Sequence, residues 1–388
     1  MHHGHAIGGA SLELLYLLQR IDKKRYHPKV LFLKNSDVIQ MFRAENIDVR
    51  VLRTWKEFSH TEGEWIKWYR PDLIIWALIS LVATAFFGAK KILREEKPDL
   101  VHLNSLSLAG WAVAAKQLRI PVVCHAREPI QKGYLGIRRA LVRSILNKHV
   151  DQIIAVSKQN ARVLDIPSKT RIIYGFVHFR QFDRQLEPYE SFRKADNCRK
   201  YALYLGGAAT IKGFEVVVAA LKHLEPGIHV IFGGYYRSGT SWKDPLRRVL
   251  KPSLNHIYET LNSASNAVKM GVMKDVPRWI AACDVMISPF TVPHFSRPII
   301  EAGAMAKPVI ASDLDGMEEI VVDGETGILV PAGDVRRLAQ AINRLCQDER
   351  LAQSMGEAGY KRTKALFDGE KNTKATFDVF DELLMLPK

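Results

Sequence analysis

The sequence predicts an α/β protein of two domains, each a parallel β-sheet covered by helices. Three observations carry this. The chain has 388 residues, more than one ordinary domain holds and about right for two. Short aliphatic runs alternate with amphipathic stretches along most of its length, the pattern of βα units and parallel sheets. A polar, charge-rich run, Arg180–Arg199, interrupts that alternation near the middle and reads as a linker, which puts the domain boundary near residue 195. Hydrophobic residues make up 47% and charged residues 25%, enough apolar material for two cores.

Composition also narrows the function. The net charge of +15 attracts polyanions: nucleic acid, anionic lipid or phosphorylated small molecules. No zinc finger, RNA-binding sheet signature or basic zipper is present, so nucleic acid is not expected as a partner. Cys124, Cys198, Cys283 and Cys346 each fall in or beside an apolar run and form no CxxC pair. They read as reduced core thiols, which fits a reducing cytoplasm. No secretory signal is visible, and the histidines at positions 2, 3 and 5 read as a polar start that could bind metal adventitiously.

Taken in order, the first domain opens on Gly8-Gly9 before the apolar helix Leu12–Leu18. Glycines there allow the backbone to approach a diphosphate closely. Lys29–Leu33 reads as a strand, Val38–Ala44 as a helix and Val49–Leu52 as a strand. Leu73–Ala89 follows, 17 residues without a charge, flanked by Trp65, Trp68, Tyr69 and Arg70 on one side and Lys90 and Lys91 on the other. A spanning helix needs about 20 apolar residues, so this run reads first as a buried helix. Its aromatic and basic flanks leave a membrane-surface helix as the alternative. Leu100–Leu103, Leu108–Gln117 and Val122–His125 read as strand, helix and strand. The last ends in His125-Ala126-Arg127-Glu128, charged and imidazole groups at the carboxyl end of a parallel strand, where open α/β sheets bind ligands. Tyr134–Lys148 is a basic amphipathic helix bearing Arg138, Arg139, Arg143 and Lys148. Its plain reading is a solvated face; its other reading is contact with anionic lipid. Gln152–Ser157 and Arg171–Tyr174 are the last strands before the linker.

The second domain is expected over residues 196–365. The strand Ala202–Leu205 leads into Gly206-Gly207-Ala208-Ala209-Thr210-Ile211-Lys212-Gly213 and then the helix Phe214–Leu224. A strand, a loop with glycines and a lysine, and a helix make a phosphate cradle. The GK[ST] ending of a Walker loop is absent. After the strand His229–Phe232, residues 235–262 read as a basic, irregular insertion with Tyr235, Tyr236, Arg237, Trp242 and Lys243. Val268–Val272, the helix Val276–Ala282 and the strand Asp284–Ser288 follow. Pro298 then stands in the first turn of a helix, Ile299–Met305, where proline is best tolerated, and Val309–Ala311 is the next strand. A helix N-terminus beside a loop is a second anion site. Asp313-Leu314-Asp315 has the form of a metal-binding triplet but follows a late strand, and no metal is expected. Asp334 caps a further helix, and the chain from Gly356 to its end should be helical.

The segment HFSRPIIEAGAMAKPVIASDLDGMEEIVVDGETGILVPAGD resembles the donor-binding segment of the group-1 family of retaining glycosyltransferases. The resemblance implies the GT-B fold: two Rossmann-like domains facing each other across a cleft, with a last helix, residues 366–388, returning to the first. It implies transfer from a nucleotide-sugar donor to a sugar or lipid-linked acceptor, with retention, no metal and no cofactor. The donor would bind the second domain and the acceptor the first. Glu301 takes the place of the glutamate that holds the donor ribose; Pro293 stands where a second glutamate is usual. Lys212 matches a lysine that grips the diphosphate. Gly207 stands where an arginine is usual, which leaves that charge to Arg297 or Arg127. Gly206, the helix start at Arg297, Pro298 and Ile299, the turn at Val272 near the base, and Gly8 and Gly9 complete the donor set. His125, Arg127 and Glu128 fall on the acceptor-side motif, with His125 and Lys212 the catalytic candidates. The basic helix matches a membrane-facing one, so peripheral contact with an anionic membrane at its cytoplasmic face is an added expectation. The family's first strand is missing here or replaced by the histidine-rich start. Pro293 and Gly207 leave open a non-catalytic binding protein of the same fold. A nucleotide-sugar epimerase shares the fold, but its acid–base residues find no match.

Overall fold

The computed structural model describes residues 1–2, 8–52, 71–130, 134–189, 199–234 and 252–385. The expected boundary at residue 195, the flanking Trp65, Trp68, Tyr69 and Arg70, Cys198, and the insertion residues Tyr235, Tyr236, Arg237, Trp242 and Lys243 lie outside these. The chain divides into two compact units, Met1–Phe176 with Glu370–Lys388, and Val177–Gly369.

In the first unit, α1 (Gly9–Gln19), β1 (Lys29–Phe32), α2 (Val38–Ala44) and β2 (Asp48–Val51) come first, with β1 and β2 paired in parallel. Next α3 (Pro71–Ala83) runs through a π-helical turn, Thr84–Gly88, into α4 (Ala89–Glu96). The rest is β3 (Val101–Leu103), α5 (Ala109–Gln117), β4 (Val122–Ala126), α6 (Ile137–His149), β5 (Gln152–Ala155), α7 (Lys158–Leu164) and β6 (Thr170–Ile172). These four strands form a parallel sheet in the order β3-β4-β5-β6. Met1 and His2 lie between the two sheets: His2 bridges Phe32 in parallel, and the Met1 carbonyl accepts from Asn104 N at 3.1 Å.

Every residue of β4 is buried, as expected of a strand covered on both faces. Val122 and Cys124 share one core with Trp111, Val142 and Leu146. Val123 shares the other with Leu17, Phe176 and, from the chain's last helix, Val379, Phe380 and Leu383. That helix is also pinned by charge: Asp381 accepts from Arg25 at 2.9 Å and from Tyr26, and Glu382 accepts from Arg171 at 2.8 Å.

The apolar run is not the buried helix that its composition predicts. It packs one side closely on α5, where a Cβ on Gly110 would sit 3.1 Å from Leu81 Cδ1. Its other side leaves Ile75, Leu78, Ile79, Val82, Phe86 and Phe87 exposed.

In the second unit β7 (Lys200–Tyr204), α8 (Phe214–Ala220), β8 (Ile228–Phe232), α9 (Pro252–Ser263), β9 (Ala267–Lys269), α10 (Val276–Ala282) and β10 (Val285–Ser288) come first. They are followed by α11 (Arg297–Ala304), β11 (Val309–Asp313), β12 (Gly327–Pro331), α12 (Val335–Gln347) and α13 (Glu349–Leu366); α14 (Gly369–Met385) is the last helix already described. The later part of the expected irregular insertion is thus the helix α9. The sheet is wholly parallel, in the order β12-β11-β10-β7-β8-β9. From β7 the chain winds one way to β9, then crosses back and winds the other way from β10 to β12. The order reverses between β7 and β10, so a crevice opens beyond their carboxyl ends, where open α/β sheets take ligands.

Candidate functional site

The loops that follow β7 and β10 flank this switch point, and backbone bonds stitch them together. Thr291 N donates to Ile211 O at 3.0 Å, and the Thr291 hydroxyl to Thr210 O at 3.3 Å. Gly213, at φ +80°, starts α8, and a Cβ there would fall 1.9 Å from Pro289 O. Left-handed backbone costs a non-glycine residue about 1–2 kcal/mol, and this clash is with backbone, which cannot swing aside. Gly213→Ala should therefore destabilise the second unit by roughly 2–4 kcal/mol, read as a lower urea midpoint for its unfolding. An unchanged midpoint would contradict the contact.

Glycines also lace the strand ends on the other side. Gly233 N donates to Tyr204 O at 2.8 Å, Gly207 N to Gly233 O at 3.2 Å and Gly234 N to Gly271 O at 3.0 Å. Gly207 has φ +60°, and a Cβ there would lie 3.1 Å from Gly234 O. On this backbone a side chain at the position is strained whatever its charge. A Cβ on Gly206 would lie 2.0 Å from the Tyr204 hydroxyl. Val272, next to Gly271, is exposed.

Lys212 closes the turn before Gly213 and is half-buried. Its ammonium makes no ion pair or hydrogen bond among the described residues. Burial lowers its pKa from the usual lysine value, because a charge short of water and of a counter-charge is costly.

On the β10 side, the helix N-terminus offers less backbone than its sequence promises. The Ser296 hydroxyl bonds Ser288 Oγ at 2.7 Å and does not cap α11. Pro298 has no N–H, and Ile299 N turns to Ser296 O at 3.3 Å. The charge at this end is instead in side chains. Arg297 donates from Nε and Nη2 to Glu301 Oε1, at 3.1 and 2.7 Å, and both residues are buried. Sequence reasoning named both residues but missed their pairing, although i,i+4 spacing on a helix signals it. His294 stacks on Phe290 with ring centroids 4.9 Å apart.

The acceptor-side residues are in the first unit. His125 is buried on β4, its Nδ1 2.6 Å from His102 Nε2. Desolvation pushes its pKa down to about 3 and that of His102 well below normal. Both imidazoles are neutral at pH 7, one nitrogen of the contact donating and the other accepting. Arg127 is buried too, bonded to Asn104 Oδ1 at 2.8 Å and to Glu13. Asn104 also donates to Ala10 O at 3.1 Å and contacts His2, which reaches Ser11 at 2.9 Å. Glu13 and Asn104 carried no sequence signal, since they meet only through contacts of up to 114 residues in separation, and His2, expected in a polar start, is instead fully buried here. This knot fixes the start of α1, where Gly8 is the extended N-cap and Gly8 and Gly9 are exposed. Glu128 is half-buried in the loop after β4. Asp313 and Asp315 are exposed, and no cluster of three or more metal-ligating side chains occurs among the described residues.

Comparison with known proteins agrees with this geometry along both halves. Residues 7–180 match the model of glycosyltransferase family 4, and residues 189–362 that of glycosyl transferases group 1. An uncharacterized glycosyltransferase of Methanocaldococcus jannaschii is 26% identical over 347 residues, 88% of this chain and 92% of that one. The capsular polysaccharide biosynthesis glycosyltransferase CapM of Staphylococcus aureus is 24% identical over 358 residues, 86% of this chain and 89% of its own. The crystal structure of HepE from Anabaena, in complex with UDP and glucose, has a TM-score of 0.77 at 18% identity and covers 98% of both chains. Parallel sheets in both units, a glycine-laced switch point and family matches spanning both halves lead to one conclusion: the chain belongs to the group 1, family 4 glycosyltransferases of the GT-B fold and is a nucleotide-sugar-dependent glycosyltransferase.

Proposed function

We propose that the protein moves a hexosyl group from a UDP-sugar to a sugar or lipid-linked acceptor, with retention and without a metal. The second unit binds the donor and the first the acceptor. The observation that carries this is Lys212, a half-buried ammonium with no counter-charge among the described residues, at the mouth of the β7–β10 switch point. UDP is the favoured nucleotide because HepE was solved with UDP and glucose.

The chemical problem is departure of a nucleoside diphosphate, on which negative charge grows as the glycosidic C–O bond breaks. A fixed cation that has already given up water stabilises that charge with little reorganisation. Lys212 supplies it, helped by the dipole of α11. Glu301 has one oxygen, Oε2, without a bond among the described residues and offers it to a ribose hydroxyl. The acceptor hydroxyl attacks from the face that the diphosphate leaves, and the diphosphate takes its proton. Val272 lies on the base side of the donor, and Gly206 and Gly207 let the chain pass close to the phosphates. Glu128 faces the acceptor's hydroxyls, while His125, turned to His102 in the interior, and Arg127, bonded to Glu13, act by holding β4 and α1 in place.

A thermal-shift panel of UDP-, GDP- and ADP-sugars tests the donor. A sugar nucleotide at a hundred times its Kd should stabilise the protein by about 2.7 kcal/mol. Slow release of UDP from the stabilising donor should continue in excess EDTA. Release that stops in EDTA and returns with manganese would favour Asp313 and Asp315 as a metal site. Stabilisation without release or transfer would favour the non-catalytic binding protein.

The first unit also fits a lipid surface. The exposed stripe from Ile75 to Phe87 is an apolar face of the kind that marks a partner or a membrane, and Leu135 and Ile137 before and at the start of α6 are exposed as well. Charge contributes less than the sequence implies: Arg138 is buried and Arg143 is paired with Asp165. No helix among the described residues is long and apolar enough to cross a membrane.

A further inference from the structure

We infer that Arg297 is a positioning residue: it clamps Oε1 of Glu301 so that Oε2 meets the donor ribose, and it does not serve as a second cation for the diphosphate. The inference rests on the second unit being the nucleotide-sugar site.

The pair is hard to explain as a stabilising device. Arg297 is the first residue of α11, the positive end of the helix dipole, where a cation is disfavoured. Glutamate before a basic residue is the better order at i,i+4 spacing, and here the order is reversed. Both residues are buried, at 7% exposure each, and a buried ion pair is often no more stable than apolar residues of the same volume. A ligand-binding task accounts for what packing does not.

The geometry indicates which task. Two of the three guanidinium nitrogens, Nε and Nη2, donate to the same oxygen, Oε1, at 3.1 and 2.7 Å. A two-point clamp on one oxygen fixes the carboxylate plane and leaves the other oxygen without a bond among the described residues. An unclamped glutamate would lose rotamer freedom on meeting the ribose; this one is ordered beforehand. Nearby backbone is little able to do the same work, because Pro298 has no N–H, Ile299 N is turned to Ser296 O and Ser296 is spent on Ser288. Recognition at this helix end falls to the clamped carboxylate. The diphosphate charge is matched across the switch point by Lys212, whose ammonium has no partner among the described residues.

The test is a binding cycle on the full chain by titration calorimetry, with UDP and 2′,3′-dideoxy-UDP as probes. Arg297→Gln and Glu301→Gln should each weaken UDP about tenfold and leave dideoxy-UDP within twofold. The double variant should bind UDP no more weakly than Glu301→Gln alone. Arg297→Lys should recover part of the loss. If Arg297→Gln melts below the assay temperature, Arg297→Lys and Glu301→Gln carry the same cycle. An equal loss for both nucleotides would overturn the inference and leave the donor site standing, since it would mean direct phosphate contact or a structural role. If neither UDP, GDP nor ADP binds the wild-type chain, the donor reading itself fails and the inference with it.

Discussion

Lys212→Ala should lower turnover about a hundredfold while the protein stays folded. Loss of one preorganised electrostatic contact to the developing charge costs roughly 3 kcal/mol, on the order of a hundredfold in rate. The fold should survive because the lysine lies in a turn and its ammonium holds nothing together among the described residues. Removing it even relieves a desolvation cost. The same desolvation predicts a pH dependence. Lys212 has a pKa lowered by burial, and the diphosphate binds its charged form. Donor affinity is therefore full below that lowered pKa and is lost as pH rises through it, earlier than the usual lysine value of about 10.4 would allow. In the Ala variant that alkaline limb should vanish. Single-turnover rates with the donor identified by thermal shift, measured from about pH 6 to about pH 10.5, just past the usual lysine pKa, check both parts. Activity within twofold of wild type would remove Lys212 from the site.

Much of the local structure around the candidate site was legible because its signals are local. Glycine doublets at strand ends, a lysine before Gly213, a proline in a first helical turn and a glutamate one turn later each depend on neighbours within a few residues. The parallel sheets followed from alternation alone. What was not legible depends on distance or on which side of an element faces outward. His125 lies at a strand end in the sequence, but the register of β3 against β4, His102 opposite Val123, brings two imidazoles together in the interior. Arg127 looks like an anion ligand until Glu13, far away in the chain, takes its charge. Arg138 belongs to a basic run yet is buried. A wholly apolar stretch has no period, so Leu73–Ala89 could not declare which side would be covered.

Substituting that uncovered side should abolish lipid binding while leaving donor chemistry alone. An outward helix face in a water-soluble unit is ordinarily polar. Here it is apolar over Ile75, Leu78, Ile79, Val82 and Phe86, and turns charged only beyond the π-helical turn, at the exposed Lys91, Arg94 and Glu95. Phe87 is 75% exposed and Ile137 at the start of α6 is 69% exposed. Burying the remaining area of a half-exposed aliphatic or aromatic side chain yields about 1 kcal/mol. An Ile79/Val82/Phe86→Ser triple variant should thus lose about 3 kcal/mol, roughly a hundredfold in vesicle partitioning. Electrostatic attraction adds roughly 1 kcal/mol per basic residue near the surface, but Arg138 is buried and Arg143 already has Asp165. Sedimentation with phosphatidylglycerol vesicles should therefore fall only several-fold between low salt and about 1 M salt, where the Debye length is about 3 Å, and phosphatidylcholine vesicles should still retain protein. If the wild-type chain stays in the supernatant with both vesicle types at low salt, the lipid reading fails. A wild-type dimer without lipid that the triple variant converts to a monomer would assign the stripe to a second copy of the chain instead.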